Sequence, residues 1–140
     1  MTESETMTST AVTRGRALNI TLWVIQVLLA ALFAFAGINK LAGIPQEVLD
    51  QFARIGLGPW FLYLTGALEL AGAIGLLIPR LSGLAALGLV GVMVGAVLAH
   101  LFVLPPAALA LAPAVMGAVL GLIAWGRWPQ VEALAGKPGR

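Results

Sequence analysis

Four stretches of the chain, at about residues 18–44, 60–78, 83–104 and 107–125, hold almost nothing that water would solvate. Each offers roughly the 20 apolar residues that a helix needs to cross a bilayer core about 30 Å thick. A backbone in hydrocarbon must satisfy its own polar groups, which a helix does within one segment. The fold class read from this is all-α: a polytopic membrane protein, with one bundle of four transmembrane helices over residues 18–126. Composition supports the reading, because 60% of the 140 residues are hydrophobic and only 10% are charged. That leaves too little polar surface to cover a globule in water.

Proline and glycine punctuate the spans. Pro45 closes the first, Gly58-Pro59 opens the second, Pro79 closes it, and Pro105-Pro106 separates the third from the fourth. Residues 1–17 read as a disordered cytoplasmic tail, their first part polar, hydroxyl-rich and aperiodic. Residues 127–140 read as a second cytoplasmic tail. The segment "PQEVLDQFARIGLG" places Val48, Leu49, Phe52 and Ile55 at helical spacing. It is expected to form a short amphipathic helix in the first outer loop, lying on the membrane surface, with Trp60 and Tyr63 at the headgroups. The "AFA" at Ala34–Ala36 resembles a signal-peptide cleavage site, but the apolar helical pattern runs past it to Lys40, so the first span is expected to stay.

Basic residues set the orientation. With the N-terminus inside, Arg14, Arg16, Arg80, Arg127, Lys137 and Arg140 fall on the cytoplasmic side, and only Lys40 and Arg54 on the other. The positive-inside rule then puts both termini in the cytoplasm of a multi-pass protein of the plasma (inner) membrane. The net charge of +2 is small and its lysines and arginines are scattered, so the bilayer and not nucleic acid is the expected partner. With no cysteine, the chain itself performs no thiol redox chemistry.

Between membrane helices, small residues permit the close approach that packing needs. Gly91 and Gly95 lie one turn apart in the third span, as do Gly117 and Gly121 in the fourth. Packing within the bundle is the expected role of these four; a homo-oligomer seam is the alternative.

Glu69 is the residue that resists a plain structural reading. It lies nine residues past Trp60, about 13 Å deep at 1.5 Å per residue. A charge at a helix centre costs about 2.5–3.5 kcal/mol on insertion scales, so it needs a partner, a proton or water. Lys40 and His100 each stand five residues before a proline, on spans that run the same way, within about 6 Å of Glu69 along the axis. Lys40, Glu69 and His100 are therefore read as one ligand-binding or proton-handling constellation, with Asn39 and Thr65 as hydrogen-bonding support. Plainer alternatives stand beside it: a lysine snorkelling to the headgroups, a neutral interfacial histidine, and a purely structural ion pair at Glu69. No residue is read as catalytic, and no group as a metal site.

The runs "FAFAGINKLAG" and "LTGALELAGAIGLLIPRLSGLAALGLVGVMVGAVLAHL" carry a resemblance. Gly37 with Lys40, Glu69 with Gly72, the turn at Pro79-Arg80, and the methionine, alanine and histidine of the third span occur in the order seen in the DoxX-like family. Over about residues 20–125 the chain resembles that family of small four-helix membrane proteins. The resemblance implies a membrane subunit of an oxidoreductase system, with a quinone as the possible cofactor and a membrane or peripheral oxidoreductase as the possible partner. The sequence shows no histidine pair for haem and no nucleotide-binding glycine loop, so a redox role would be quinone binding or a structural subunit role. Three function classes stay open: a binder of quinone or another small lipophilic ligand, a small-solute or proton-linked transporter, and an assembly or interaction subunit.

Overall fold

The computed structural model describes the backbone of residues 3–136 and the side chains of residues 15–136. Six α-helices follow in order: α1 (Glu3–Ala42), α2 (Gln46–Ile55), α3 (Pro59–Leu77), α4 (Ser82–Phe102), α5 (Leu111–Gly126) and α6 (Trp128–Leu134). A short 3₁₀ turn, Ala107–Ala110, leads into α5. There is no strand among the described residues. Four helical segments are long and apolar enough to cross a membrane: Gly15–Ala42, Pro59–Leu77, Ser82–Phe102 and Ala107–Gly126. The four-helix membrane bundle expected from the apolar runs is the one observed, and α2 is the short amphipathic helix after the first span.

The breaks fall where the backbone chemistry demands them. Gly43 takes φ 71°, a left-handed conformation that favours glycine, and Pro45 then starts the approach to α2. Gly56, at φ 80°, ends α2 and donates its N–H to the Phe52 carbonyl. Pro59 occupies the first turn of α3, where its missing N–H is not needed.

The ends depart from expectation. Helix α1 begins at Glu3, where a disordered tail to residue 17 was expected from polarity. No glycine or proline interrupts Glu3–Arg14. A helix nucleated by the span therefore extends backwards at one hydrogen bond per residue, without a new nucleation step. After α5 the expected second tail opens with α6, and Ser82 Oγ on α4 donates to Gln130 Oε1 at 2.8 Å to hold it. Residues 1–2 and 137–140 of the two expected tails lie outside the described residues.

Helix α1 packs along α3, α3 along α4, and α4 along α5. The core combines Phe33 from α1, Leu76 from α3, Leu89 from α4, and Leu120 and Ile123 from α5. Outside it the surface is oily: Phe35 is 70% exposed, Phe102 78% and Trp125 75%. Apolar cover on this scale suits hydrocarbon and not water.

Glycine contacts set the helix spacing, though not at the positions that spacing in the sequence singles out. A Cβ at Gly37 would lie 2.7 Å from the Gly66 carbonyl oxygen, so α1 and α3 meet backbone to backbone. Gly72 takes the Leu89 side chain of α4, and Gly75 takes Ala85. Of Gly91, Gly95, Gly117 and Gly121, only Gly117 is in a contact, with Met93; a Cβ at the other three would meet nothing within 4 Å. Residue spacing says which positions share a face, but not whether that face meets a helix or open space.

At the end of the bundle away from α2, a polar clamp closes the structure. The fully buried Gln26 of α1 donates from Nε2 to the Leu76 carbonyl of α3 at 2.8 Å. Its Oε1 accepts from Arg127 Nε at 2.8 Å, while Arg127 Nη1 donates to Asn19 Oδ1 at 2.7 Å. The guanidinium sits 5.5 Å from the Trp23 ring centroid, a cation–π distance.

Candidate functional site

The close approach of α1 and α3 decides where Lys40 goes. Its Cβ lies against Gly66, 2.9 Å from where a Cβ there would stand. From that height the side chain reaches one turn along α3 to Glu69. Nζ donates to Oε2 at 2.9 Å and to Oε1 at 3.1 Å, an ion pair gripping both carboxylate oxygens. The side chains are 15% and 6% exposed. Two charges in such a place are costly to desolvate, and geometry that uses both oxygens is what makes the pair tolerable.

The pair forms part of the wall of a cavity of about 440 Å³ between α3 and α4. Those helices are tight at their connecting turn, where Gly75 meets Ala85 and Gly72 meets Leu89. Further from the turn they diverge, and the opening is lined on α3 by Phe61, Thr65, Leu68 and Glu69. On α4 the wall is small, made of Gly88, Gly91, Val92, Gly95, Ala96 and Ala99, then His100. Helix α2 lies over the wide end with Gln51, Phe52 and Ile55, and its Phe52 ring stands 5.7 Å from the Phe61 ring.

Of the five polar residues singled out in the sequence, Lys40, Thr65, Glu69 and His100 line one cavity. Lys40 and Glu69 pair directly. His100 lines the same cavity without joining the pair, and its Nδ1 is buried with no hydrogen-bond partner. Thr65 also lines the cavity, but its hydroxyl donates to the Phe61 carbonyl of its own helix at 2.8 Å and not to Glu69. Asn39 is not in the cavity wall, since one residue is a 100° step around α1 from Lys40.

The sequence reading missed the cover formed by α2, the open glycine face, and the Gln26–Arg127–Asn19 clamp. Amphipathic spacing at Phe52 and Ile55 was a usable signal for the first. The clamp gave none, because its members are 101 and 108 residues apart in sequence.

A family model described as the DoxX-like family matches residues 24–126. The chain belongs to the DoxX-like family. The matched region holds all of Lys40, Glu69 and His100 and every wall of the cavity, and it stops one residue short of Arg127. No curated protein and no solved structure matches the chain. What marks this DoxX-like protein is an apolar, small-walled slot whose lining includes an ammonium held by a carboxylate and the His100 imidazole.

Proposed function

We propose that this DoxX-like protein binds a small lipophilic ligand between α3 and α4, a quinone above all, as a membrane subunit of an oxidoreductase system. The observation that carries the reading is the 440 Å³ cavity itself, whose apolar walls bring His100 together with the Lys40–Glu69 pair. Small-molecule sites are mostly apolar cavities of about 300–1,000 Å³ with a few convergent polar groups, and this one has that size and make-up.

The residues fit a quinone head. Its carbonyl oxygens are acceptors, and the Lys40 ammonium and a protonated His100 nitrogen are donors. A quinone takes up protons when it is reduced. Glu69 and His100 are the groups placed to hold and pass protons at that end of the cavity, and intramembrane acids commonly serve such paths. Electrons would come from a partner oxidoreductase. The six-to-two bias of basic residues supports both termini facing the cytoplasm of the plasma (inner) membrane, with α2 and the polar end of the cavity near the outer face.

Lipid extraction tests the reading. Protein purified in mild detergent should carry a quinone enriched well above its share of the membrane extract, and His100→Ala and Glu69→Gln should each lower that occupancy. An extract no richer in quinone than that of an unrelated membrane protein would remove the support for this function.

A further inference from the structure

We infer that the ligand enters the cavity sideways from the bilayer, between α3 and α4, and is an amphiphile whose aliphatic tail lies against Gly88, Gly91 and Gly95. The inference rests on the binding function proposed above and adds the ligand's class and its route.

The three glycines recur at i, i+3 and i+7, so they share one face of α4. Glycine in a helix is about 0.8–1.0 kcal/mol worse than alanine, and such positions usually gain a close helix contact in exchange. Here they gain none. All three are exposed, a Cβ on each would meet nothing within 4 Å, and all three line the cavity. Leu68, 49% exposed on the facing side of α3, lines it too. The cavity wall thus runs without a break onto a surface that faces hydrocarbon.

The water-facing side is different. There α2 lines the cavity with Gln51, Phe52 and Ile55, and the Phe52 ring stands 5.7 Å from the Phe61 ring. A ligand dissolved in the bilayer meets a face of α4 whose exposed glycines carry no side chain, whereas one arriving past α2 meets Phe52 and Phe61.

The shape of the slot also selects a class. From Gly88 to His100 is twelve residues, or about 18 Å along the helix, which is longer than a single ring. Its polar lining is Lys40, Gln51, Thr65, Glu69 and His100, while Leu68, Gly88, Gly91 and Val92 are apolar. The Lys40 and His100 side chains in the wall suit a polar head, and the glycine face leaves room for a chain.

The test compares a chainless benzoquinone with the same ring bearing a decyl chain, titrated into the full-length protein in lipid nanodiscs. Affinities are expressed per mole fraction of quinone in the bilayer, so that partitioning cancels. The decyl compound should bind about tenfold tighter, a difference of about 1.4 kcal/mol. Gly91→Leu should abolish that advantage, whereas Gly121→Leu, on an open face of α5 outside the cavity, should alter neither affinity. Should Gly91→Leu fail to fold, a decyl chain carrying a diazirine should label the wild-type peptide that contains Gly88–Gly95. Equal affinities for the two rings, or labelling confined to other helices, would overturn the inference while leaving the binding function standing. Binding of neither ring would overturn both.

Discussion

Lys40 Nζ lies 2.9 and 3.1 Å from the two carboxylate oxygens of Glu69, across the close approach of α1 and α3. The pair is possible only because Gly37 and Gly66 let α1 and α3 approach closely enough for a lysine at the end of one span to reach a glutamate inside another. Removing either charge strands the other. Glu69→Ala or Lys40→Ala should each destabilise the fold by about 2.5–3.5 kcal/mol, the insertion penalty of an uncompensated charge. The double variant should lose less than the sum, with a coupling above about 0.5 kcal/mol in unfolding titrations. Additive losses would mean that the pair contributes no mutual stabilisation.

The crossing itself should be intolerant of bulk. Gly37→Val places a methyl-bearing Cβ where the Gly66 carbonyl and the Leu70 amide already stand at 2.7 and 2.9 Å. Thermal denaturation in micelles should show a fall of several degrees or loss of folded protein. Gly121→Ala, at an open position, should unfold no earlier than wild type, because the Cβ meets nothing and alanine is the better helix former. Equal tolerance at both positions would contradict the packing described.

Gln26 links three elements through one amide. Gln26→Leu leaves the Leu76 carbonyl without its side-chain donor and Arg127 Nε without an acceptor, in a place with no water exposure at position 26. Each stranded buried group costs about 1–3 kcal/mol. The thermal midpoint should drop, while quinone binding at the other end of the bundle should change little. A variant that keeps its stability would show the clamp to be incidental.

These residues also show what was legible in the sequence. Glu69 announced itself by its cost in hydrocarbon, and counting residues from Trp60 and Pro45 put Lys40 within reach as one of two candidate partners. The same count placed His100 at a matching height, but height alone does not turn a side chain toward a partner, and its Nδ1 remains apart from the pair. Thr65 was expected to support Glu69, yet a hydroxyl on a helix has its own i−4 carbonyl within reach, and Thr65 uses it. Gly91 and Gly95 were expected in a helix contact because the spacing that brings helices together is the spacing that leaves a slot open. Arg127 was counted only as a topology charge. Its role with Gln26 and Asn19 depends on how the last span returns to the first, which no local pattern encodes.

Orientation can be checked from outside the bundle. In right-side-out vesicles, a cysteine at Gln51 on α2 should react with a membrane-impermeant maleimide added outside, and one at Ala135 only after the vesicles are opened. The absence of native cysteine makes the background clean. The reverse pattern would place the polar end of the cavity on the cytoplasmic side.

The central claim is that a lipophilic ligand sits in the cavity against His100, and the chain supplies its own reporter, since His100 is its only histidine. With ¹⁵N-histidine label, solid-state NMR of the protein in liposomes gives one Nδ1 signal, from the buried nitrogen that has no hydrogen-bond partner. Adding the decyl benzoquinone should move the imidazole ¹⁵N signals as the ligand packs against the ring, and the shift should vanish in a variant whose cavity is filled, Gly95→Phe. Imidazole signals that stay in place at saturating quinone would contradict the account.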